Sequence, residues 1–311
     1  FYSLLVRRSL DTDLADVRSG LFVSVAEWAA KQVKNLSASQ ERAWKPNLLV
    51  PVEDADTLRG SFLLIQDIVA PKGSVNVLGL NGPDASADLP DRVHDLTAAF
   101  RKNDVFASSA IVDAQHFTPS LTASMQTLRS AFFNPNILFL PLPPTNERSD
   151  SYARLVRAAE GQQMGVLLYA PHTRAGLGQR ETVNVWINDR SPDWTVRMDI
   201  GNLDLLLLAA YKLKRNWQAH MRLLTVVETE EDAEDARDFL NTVVDLARIP
   251  EAEIVVHVDT FMQFLHRAPQ ADVNFFGLMR PPDFDKMRQF VDATRSSCLF
   301  IRDSGQENAL A

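Results

Sequence analysis

The chain has 311 residues, of which 46% are apolar and 23% are charged, and it contains only 12 glycines and 16 prolines. These values are typical of folded, water-soluble proteins and exclude a collagen-like or wholly disordered chain. The 40 acidic residues outnumber the 32 basic ones, giving a net charge of −8; this disfavours nucleic acid as a partner, because phosphate backbones are repelled. At about 150 residues per domain, the length predicts two domains.

The amino-terminal residues precede the first predicted domain. Residues 1–6 are mostly apolar or aromatic and are followed by Arg7 and Arg8, which fits either the cytoplasmic exit of a membrane helix or an arbitrary chain boundary. Apolar residues recur at helical spacing over residues 14–33 and predict an amphipathic helix. Residues 35–42 are typical of a polar linker, and Trp44-Lys-Pro46 marks the start of a new domain. No apolar run approaches the roughly 20 residues needed to span a bilayer.

Short apolar strands alternate with amphipathic helices from residue 47 onward. Strands are predicted over residues 47–52, 74–80, 104–112, 136–140 and 165–169, with helices over residues 58–70, 89–103, 119–132 and 151–162. The pattern restarts with strands over residues 182–187, 221–227, 253–258, 272–278 and 298–302, and helices over residues 203–214, 231–247, 261–266 and 284–294. Because parallel strands need crossovers long enough to hold a helix, the chain is predicted to be an α/β protein. We expect two tandem similar subdomains, each an open five-stranded, mainly parallel sheet with helices on both faces.

The loops at the carboxyl ends of the strands are where open α/β sheets bind ligands, and here they carry few chemical motifs. The sequence contains no dinucleotide fingerprint, phosphate loop or nucleophile elbow. Gly79 and Gly82 form the nearest glycine cluster, which is typical of a turn but lies where nucleotide-binding folds hold phosphate. Together with Glu53 and Asp54 after the first strand, they are the candidate nucleotide-binding residues.

The residue types that carry catalysis or bind metals do not cluster in the sequence. The six histidines are scattered, and none lies at the i, i+4 spacing of a helical metal pair. The acidic run over residues 228–235 predicts a capped helix start, since Thr229 and Asp232 resemble a capping box. The single cysteine, Cys298, cannot form an internal disulfide and is expected to be a buried apolar residue in a reducing compartment. We therefore predict no catalytic and no metal-binding residues.

Four strings of the sequence stand out, at residues 42–50, 201–217, 221–227 and 271–278. They resemble the cytoplasmic carboxyl-terminal domain of cation-chloride cotransporters, which belong to the amino acid-polyamine-cation superfamily. Residues 42–50, R-A-W-K-P-N-L-L-V, resemble the N-W-R-P-x-x-L-V start of that domain. Residues 201–217, G-N-L-D-L-L-L-L-A-A-Y-K-L-K-R-N-W, and residues 221–227, M-R-L-L-T-V-V, resemble its D-L-x-L-L-L-A-Y-x-L helix and I-R-L-x-T-V strand. Residues 271–278, A-D-V-N-F-F-G-L, resemble its A-D-L-N-x-x-G-L strand. The resemblance is closer to prokaryotic members, because long phosphorylatable insertions are absent.

The resemblance implies a domain organisation and a role. Residues 1–46 would be a membrane-proximal linker and connecting helix, residues 47–170 a first α/β subdomain, residues 171–181 a linker and residues 182–311 a second α/β subdomain. The subdomains would be similar to universal stress proteins and would pair as homodimers at the cytoplasmic face of the plasma membrane, beside the protein's own transmembrane domain. The implied function is a regulatory and dimerisation domain without catalysis, in a transporter that couples chloride to sodium, to potassium or to both.

The resemblance also raises the question of a nucleotide. Some family members and many universal stress proteins bind adenine nucleotide in the first subdomain. No cofactor is predicted for this chain, and ATP or another adenine nucleotide is kept as the candidate if one binds. The stress-protein pattern G-x-x-G…G-S/T is incomplete, since Gly79 and Gly82 are present but no Gly-Ser or Gly-Thr follows the strand at residues 137–140. The alternative function is a tandem universal-stress-type protein that binds nucleotide at its strand ends. A hydrolase would rest on the fold alone.

Overall fold

The computed structural model describes residues 23–24, 44–58, 60–83, 85–130, 133–143, 145–188, 190–191, 193–195 and 202–310. The chain divides into two compact units, Phe1–Ala43 and Trp44–Ala311. The helix predicted over residues 14–33 falls outside the described residues, apart from the helical residues 23–24. In the described part of the chain, no helix combines the length and apolar character needed to cross a membrane.

The second unit contains ten strands and eight helices among its described residues, in strict alternation through each half. The first half runs β1 (Asn47–Val52), α1 (Phe62–Val69), β2 (Ser74–Asn81), α2 (Leu89–Lys102), β3 (Phe106–Asp113), α3 (Phe117–Leu128), β4 (Ile137–Pro141), α4 (Ser149–Gly161) and β5 (Gly165–Ala170). The second half runs β6 (Thr182–Trp186), α5 (Asp204–Trp217), β7 (His220–Val227), α6 (Glu230–Leu246), β8 (Ala252–Val258), α7 (Phe261–Leu265), β9 (Val273–Gly277), α8 (Phe284–Thr294) and β10 (Ser297–Arg302). The strands and helices predicted from residue 47 onward are all present, although the first helix begins later than predicted, after a 3-10 turn at Ala55–Leu58.

The ten strands form one sheet with the order β3-β2-β1-β4-β5-β10-β9-β6-β7-β8. Strands within each half are parallel, whereas β5 and β10 pair antiparallel, with Phe300 opposite Leu168. The α/β class and the two five-stranded parallel halves are therefore confirmed. The halves differ from the expected pair of open sheets because they are joined edge to edge. All residues of β5 and β10 are buried, and this pairing satisfies backbone groups that would otherwise be left open at two buried edges.

The strand order reads as a pseudo-two-fold repeat about the seam between β5 and β10. Strands β1 to β5 correspond to β6 to β10, since each half has the order third, second, first, fourth, fifth when read toward the seam. The seam uses the fifth strand of both halves. The two remaining edges of the sheet are therefore the third strands, β3 and β8.

Helices cover both faces of the sheet and form two apolar cores that extend across the seam. One core contains Leu64 of α1, Phe100 of α2, Leu206 of α5 and Phe239 of α6. The other is built on α3, α4, α7 and α8, and includes buried residues Leu121, Leu155, Phe264 and Met287. The halves also meet through their helices, because Trp217 Nε1 of α5 donates a hydrogen bond of 2.6 Å to Asp67 Oδ2 of α1. The α/β unit is a single three-layer body.

One carboxylate, that of Asp272, accepts several hydrogen bonds from the segment between β5 and β6. Asp272 accepts hydrogen bonds from the backbone N–H groups of Gln179, Glu181 and Thr182, at 2.9, 2.8 and 2.9 Å. Partial burial opposes ionisation of this carboxyl, but the backbone hydrogen bonds outweigh it and lower the pKa of Asp272 below its ordinary value. Gly178 lies within this segment in the left-handed conformation, with φ at +55°.

A second carboxylate caps α5 from a distant part of the sequence. Asp303, just after β10, accepts hydrogen bonds from the backbone N–H groups of Asp204 and Leu205, at 3.0 and 3.1 Å. These are amides of the first helical turn, which need an acceptor from outside the helix. Burial, followed by repulsion from the carboxylates of Glu307 and Asp204, raises the pKa of Asp303 to about 7.

Candidate functional site

A cleft of about 1010 Å³ opens at the carboxyl ends of β1, β2 and β3, beside the first turns of α3 and α4. This is where parallel α/β sheets bind ligands, at the point where neighbouring strands connect to opposite faces of the sheet. The cleft lies wholly in the first half. Its lining consists of Glu53, Asp54, Leu80, Gly82, Pro83, Ala85, Ala114, Gln115, His116, Phe117, Thr118, Pro119, Thr122, Ala123, Gln126, Arg148, Ser151 and Arg154.

Three of the four candidate nucleotide-binding residues line this cleft. Glu53, Asp54 and Gly82 come together there because they follow β1 and β2, which are neighbours in the sheet. The structure does not bring Gly79 into the cleft, because this residue is buried within β2 and is not among the lining residues. A Cβ at Gly79 would lie 2.5 Å from Ile111 Cδ1 and 3.2 Å from Val93 Cγ2. This glycine therefore allows close packing between β2, β3 and α2.

Gly82 also has a packing role. A Cβ at this position would lie 3.1 Å from the carbonyl oxygen of Ala114, at the end of β3. The backbone N–H of Gly82 donates to the carbonyl of Leu80 at 3.1 Å, so the chain turns tightly as it leaves β2. The close approach of two strand ends accounts for a small residue here without any ligand.

Glu53 forms an ion pair with an arginine that lies immediately before α4. The Arg148 guanidinium forms an ion pair with the Glu53 carboxylate, with 3.5 Å between Arg148 Nη2 and Glu53 Oε1. The same guanidinium lies over the ring of Phe117, at 5.5 Å from its centroid. The hydrogen bond with Glu53 raises the pKa of Arg148 above its ordinary value, so this cation is held in place by both a carboxylate and a ring face.

Asp54 organises the turn that follows β1. Its Oδ1 accepts a hydrogen bond of 2.9 Å from the backbone N–H of Asp56 and lies 3.6 Å from Arg92 Nη1. Arg92 also pairs with Asp56, so the two carboxylates share one cation from α2. The Asp54 side chain is thus engaged in local structure at the rim of the cleft.

The remaining polar side chains of the cleft come from α3, from the two residues before it and from the start of α4. Arg154 Nη2 donates a hydrogen bond of 3.1 Å to Ser151 Oγ, one turn earlier on α4. His116 is exposed at the start of α3. Beneath the cleft, Tyr152 packs with its ring 6.3 Å from that of Phe117. Burial raises the pKa of Tyr152 to about 12, so its phenol remains protonated.

Arg148 and Arg154 are not among the residues predicted from the sequence. They lie roughly a hundred residues from Glu53 and join it only because β4 pairs with β1 and delivers α4 beside the end of β1. A usable signal was present, since any polar residue at the start of the helix that follows β4 lies near this switch point.

The polar and charged side chains that line the cleft can bind a ligand through ion pairs and hydrogen bonds. Among the described residues that line the cleft, Glu53 and Asp54 both face arginine side chains, so each carboxylate is balanced by a cation. The described residues contain no group of three His, Cys, Asp or Glu side chains that could hold a metal ion. Cys298 lies far from this chemistry in the buried strand β10, where burial raises the pKa of its thiol to about 12.

Two family models cover most of the chain. The model described as "Prokaryotic cation-chloride cotransporter, C-terminal domain, 1st" matches residues 50–177, and its companion for the second such domain matches residues 178–310. The crystal structure of the cytoplasmic domain of a prokaryotic cation chloride cotransporter is 39% identical, covering 86% of this chain and 99% of that one, with a TM-score of 0.78. The comparison with curated proteins returned no match.

Universal stress proteins share the fold at much lower identity. A putative universal stress protein from Pseudomonas aeruginosa UCBPP-PA14 is 14% identical, covering 84% of this chain and 94% of that one, with a TM-score of 0.55. One from Archaeoglobus fulgidus DSM 4304 is 10% identical, covering 83% and 97%, with a TM-score of 0.53. These likenesses confirm the stress-protein-like fold alone. The family matches confirm the resemblance found in the sequence: the chain belongs to the family of cytoplasmic carboxyl-terminal domains of prokaryotic cation-chloride cotransporters.

Proposed function

We propose that this domain holds two transporter protomers together and regulates their transport cycle, without catalysis of its own. The observation that carries the proposal is the position of the exposed apolar side chains. Phe106, Phe133 and Ile111 are 54%, 45% and 40% exposed, and Phe106 and Ile111 both belong to the edge strand β3. The rings of Phe106 and Phe133 lie 4.5 Å apart and form a contiguous exposed apolar patch. Such patches, unlike single exposed side chains, are typical of protein interaction sites.

The single three-layer body supports a mechanical role. Because the two halves share one sheet and two cores, a displacement of one half moves the other with it. A transmembrane domain that changes shape during transport would meet this rigid body at the cytoplasmic face of the plasma membrane, through the connecting helix that the sequence predicts for residues 14–33. Regulation then follows if the domain makes different contacts with the two states of the membrane part. The parent transporter would couple the movement of chloride to that of sodium, potassium or both.

The absence of catalysis is supported by how the polar groups are used. In the described cleft, Glu53 is paired with Arg148, and Asp54 contributes to a turn and faces Arg92. A general base needs a carboxylate free to reach a substrate proton. The buried Cys298 thiol, with its raised pKa, is a poor nucleophile.

The test is the mass of the full 311-residue chain across a range of concentrations, measured by light scattering after size exclusion. A dimer would have twice the 34.8 kDa of the chain. Weak association is acceptable, since confinement in a membrane raises the effective concentration of the partners. A chain that remains monomeric at high micromolar concentration would contradict the dimerisation proposal. For the regulatory part, chloride flux into vesicles by the parent transporter is expected to change when this domain is removed.

The cleft favours a second candidate function, the binding of ATP or another adenine nucleotide. Its volume suits a nucleotide-sized ligand. Arg154 supplies a cation at the rim that hydrogen-bonds to Ser151 and, among the described residues, pairs with no carboxylate. At 100 times its dissociation constant, ATP would stabilise the chain by about 2.7 kcal/mol, which a thermal melt detects. The increase is expected to be lost in Arg154→Ala and kept in Arg157→Ala, one turn further along α4. No ATP-dependent increase in the wild type would exclude this function.

A further inference from the structure

The two edges of the sheet occupy equivalent places in the pseudo-two-fold repeat but differ in chemistry. At the β8 edge, Glu253 pairs with Arg222 and His220 of β7, at 2.9 and 2.7 Å. Charged side chains of this kind protect edge strands from pairing with other chains. Strand β3 reads F-A-S-S-A-I-V-D and carries no charge before its last residue, Asp113. Both strands are edges of the same sheet, so the fold exposes them equally. The lack of protecting charges is therefore a property of the β3 sequence.

The backbone of β3 presents unpaired groups to solvent. The N–H of Ala114 donates to Asn81 of β2 at 2.9 Å, so even-numbered residues direct their N–H and C=O groups toward β2 and odd-numbered residues direct theirs outward. Arg101 Nε donates to the outward carbonyl of Ala107 at 2.7 Å. Among the described residues, nothing hydrogen-bonds to the outward N–H and C=O groups of Ser109 and Ile111. Four consecutive outward groups are therefore available for another strand.

We propose that a second copy of this chain docks on the β3 edge, with the two β3 strands antiparallel about a two-fold axis through Ala110. The proposal rests on the dimerisation function and specifies its surface. This register places Ser109 of one copy opposite Ile111 of the other, twice, so the four open groups on each strand exchange four hydrogen bonds across the axis. It joins two sheets by antiparallel edge pairing, as β5 and β10 already do within one chain.

A second copy fits because the edge is complementary to itself. Ala110 would face Ala110 and Ser108 would face Val112, so the two-fold axis brings no like charges together. At both ends of the paired strands, Ala107 would face Asp113, and Arg101 already lies against the Ala107 carbonyl. The Asp113 carboxylate of each copy would therefore approach the Arg101 guanidinium of the other. The exposed rings of Phe106 and Phe133, 4.5 Å apart, add apolar surface beside the strand.

The test exploits the fact that Ala110 faces itself. In the full chain, Ala110→Lys and Ala110→Glu each place two like charges opposite one another and are expected to raise the dimer dissociation constant about fivefold. An equimolar mixture of the two variants is expected to restore tight association, as mixed dimers. The control is His257→Lys, which adds the same charge at the exposed β8 edge and is expected to leave association unchanged. Sedimentation velocity measures all four samples.

A cross-link tests the axis directly. Residues that face each other without exchanging hydrogen bonds have Cα atoms about 4.5 Å apart, within the range of a disulfide. Ala110→Cys is therefore expected to form a covalent dimer on mild oxidation, and His257→Cys is not. The native Cys298 is fully buried and does not compete.

The outcomes separate the proposed surface from the proposed function. A wild-type dimer that Ala110→Lys and Ala110→Glu leave unchanged, with no cross-link through Ala110→Cys, would overturn docking at β3 while dimerisation stands. A wild-type chain that stays monomeric would overturn dimerisation itself. Weakened single variants, a restored mixture and a covalent dimer would support the β3 interface. Circular dichroism melts of each variant verify that this exposed position does not affect folding.

Discussion

Replacing Gly178 by alanine is expected to destabilise the domain much more than the same replacement at Gly176. Both glycines have a left-handed backbone, with φ at +55° and +53°, so alanine costs about 1 kcal/mol at either position. Their surroundings differ. A Cβ at Gly176 meets nothing within 4 Å, whereas a Cβ at Gly178 would lie 1.9 Å from Asp272 Oδ1 and 2.8 Å from its Cγ. The Asp272 carboxylate would have to move.

The additional cost follows from what that carboxylate does. Asp272 accepts three backbone hydrogen bonds, from Gln179, Glu181 and Thr182, and a fourth of 3.0 Å from Thr182 Oγ1. A hydrogen bond to a charged group contributes about 1.5–3 kcal/mol, and a displaced carboxylate would lose one or two of them. We therefore expect Gly178→Ala to lower the free energy of unfolding by about 3–5 kcal/mol, against about 1 kcal/mol for Gly176→Ala.

Urea unfolding followed by circular dichroism measures both costs in the full chain. The comparison is repeated in an Asp272→Ala background, which removes the carboxylate that obstructs Gly178. In that background the two glycine replacements are expected to cost the same, about 1 kcal/mol each. Equal costs in the wild-type background would refute the reasoning, because they would mean that Asp272 does not hold this segment.

Three further predictions concern buried groups. Gly79→Ala is expected to lower the free energy of unfolding in urea by about 1–3 kcal/mol, because the new methyl group would overlap the Ile111 side chain. The control is Gly161→Ala, which has open space around it and is expected to be neutral or slightly stabilising. Cys298 is expected to resist a thiol reagent in the native chain, with a buried thiol of pKa about 12, and to react fully in urea. Burial raises the pKa of Asp303 to about 7 from its ordinary 3.8. The folded chain therefore holds this proton more tightly than the unfolded chain, and protonation of Asp303 stabilises the fold. The stabilisation is complete below about pH 4 and is lost as the pH rises through about 7. The melting temperature of Asp303→Asn is accordingly expected to vary less than that of the wild type between about pH 5 and pH 8.

The strands and helices could be predicted because each carries its own periodicity. The run V-L-L-Y within β5 and L-F-I within β10 indicates burial on both faces. That pattern says nothing about which strand lies alongside, so the antiparallel seam was not foreseen and two separate sheets were expected. Strand pairing between the halves depends on two edges about 130 residues apart, and no local signal encodes it.

The position of the cleft could be predicted from the strand topology, but only some of its lining residues could be predicted from the sequence. Glu53, Asp54 and Gly82 were found because ligand sites in such folds lie at the carboxyl ends of strands. Gly79 was assigned to the same site because glycine also serves phosphate binding, yet here the Ile111 side chain requires it. Conformational freedom and lack of a side chain are separate reasons for glycine, and a sequence does not distinguish them.

The chemistry of the two free edges bears on whether association stops at two copies. If β3 and β8 were equally open, a β3 edge could pair with the β8 edge of the next copy, and that head-to-tail contact would continue into a filament. Glu253 on β8 and its partner Arg222 on the neighbouring strand β7 place charges at the β8 edge. In such a contact they would face a β3 strand that carries no charge before Asp113, and they would lose solvation. When β3 of one copy pairs with β3 of the other, the unpaired N–H and C=O groups of both strands are satisfied together. The two β8 strands, with their charged side chains, are then the free edges of the dimer's sheet. The proposed interface therefore closes at a dimer, because the edge that would extend it is the protected one.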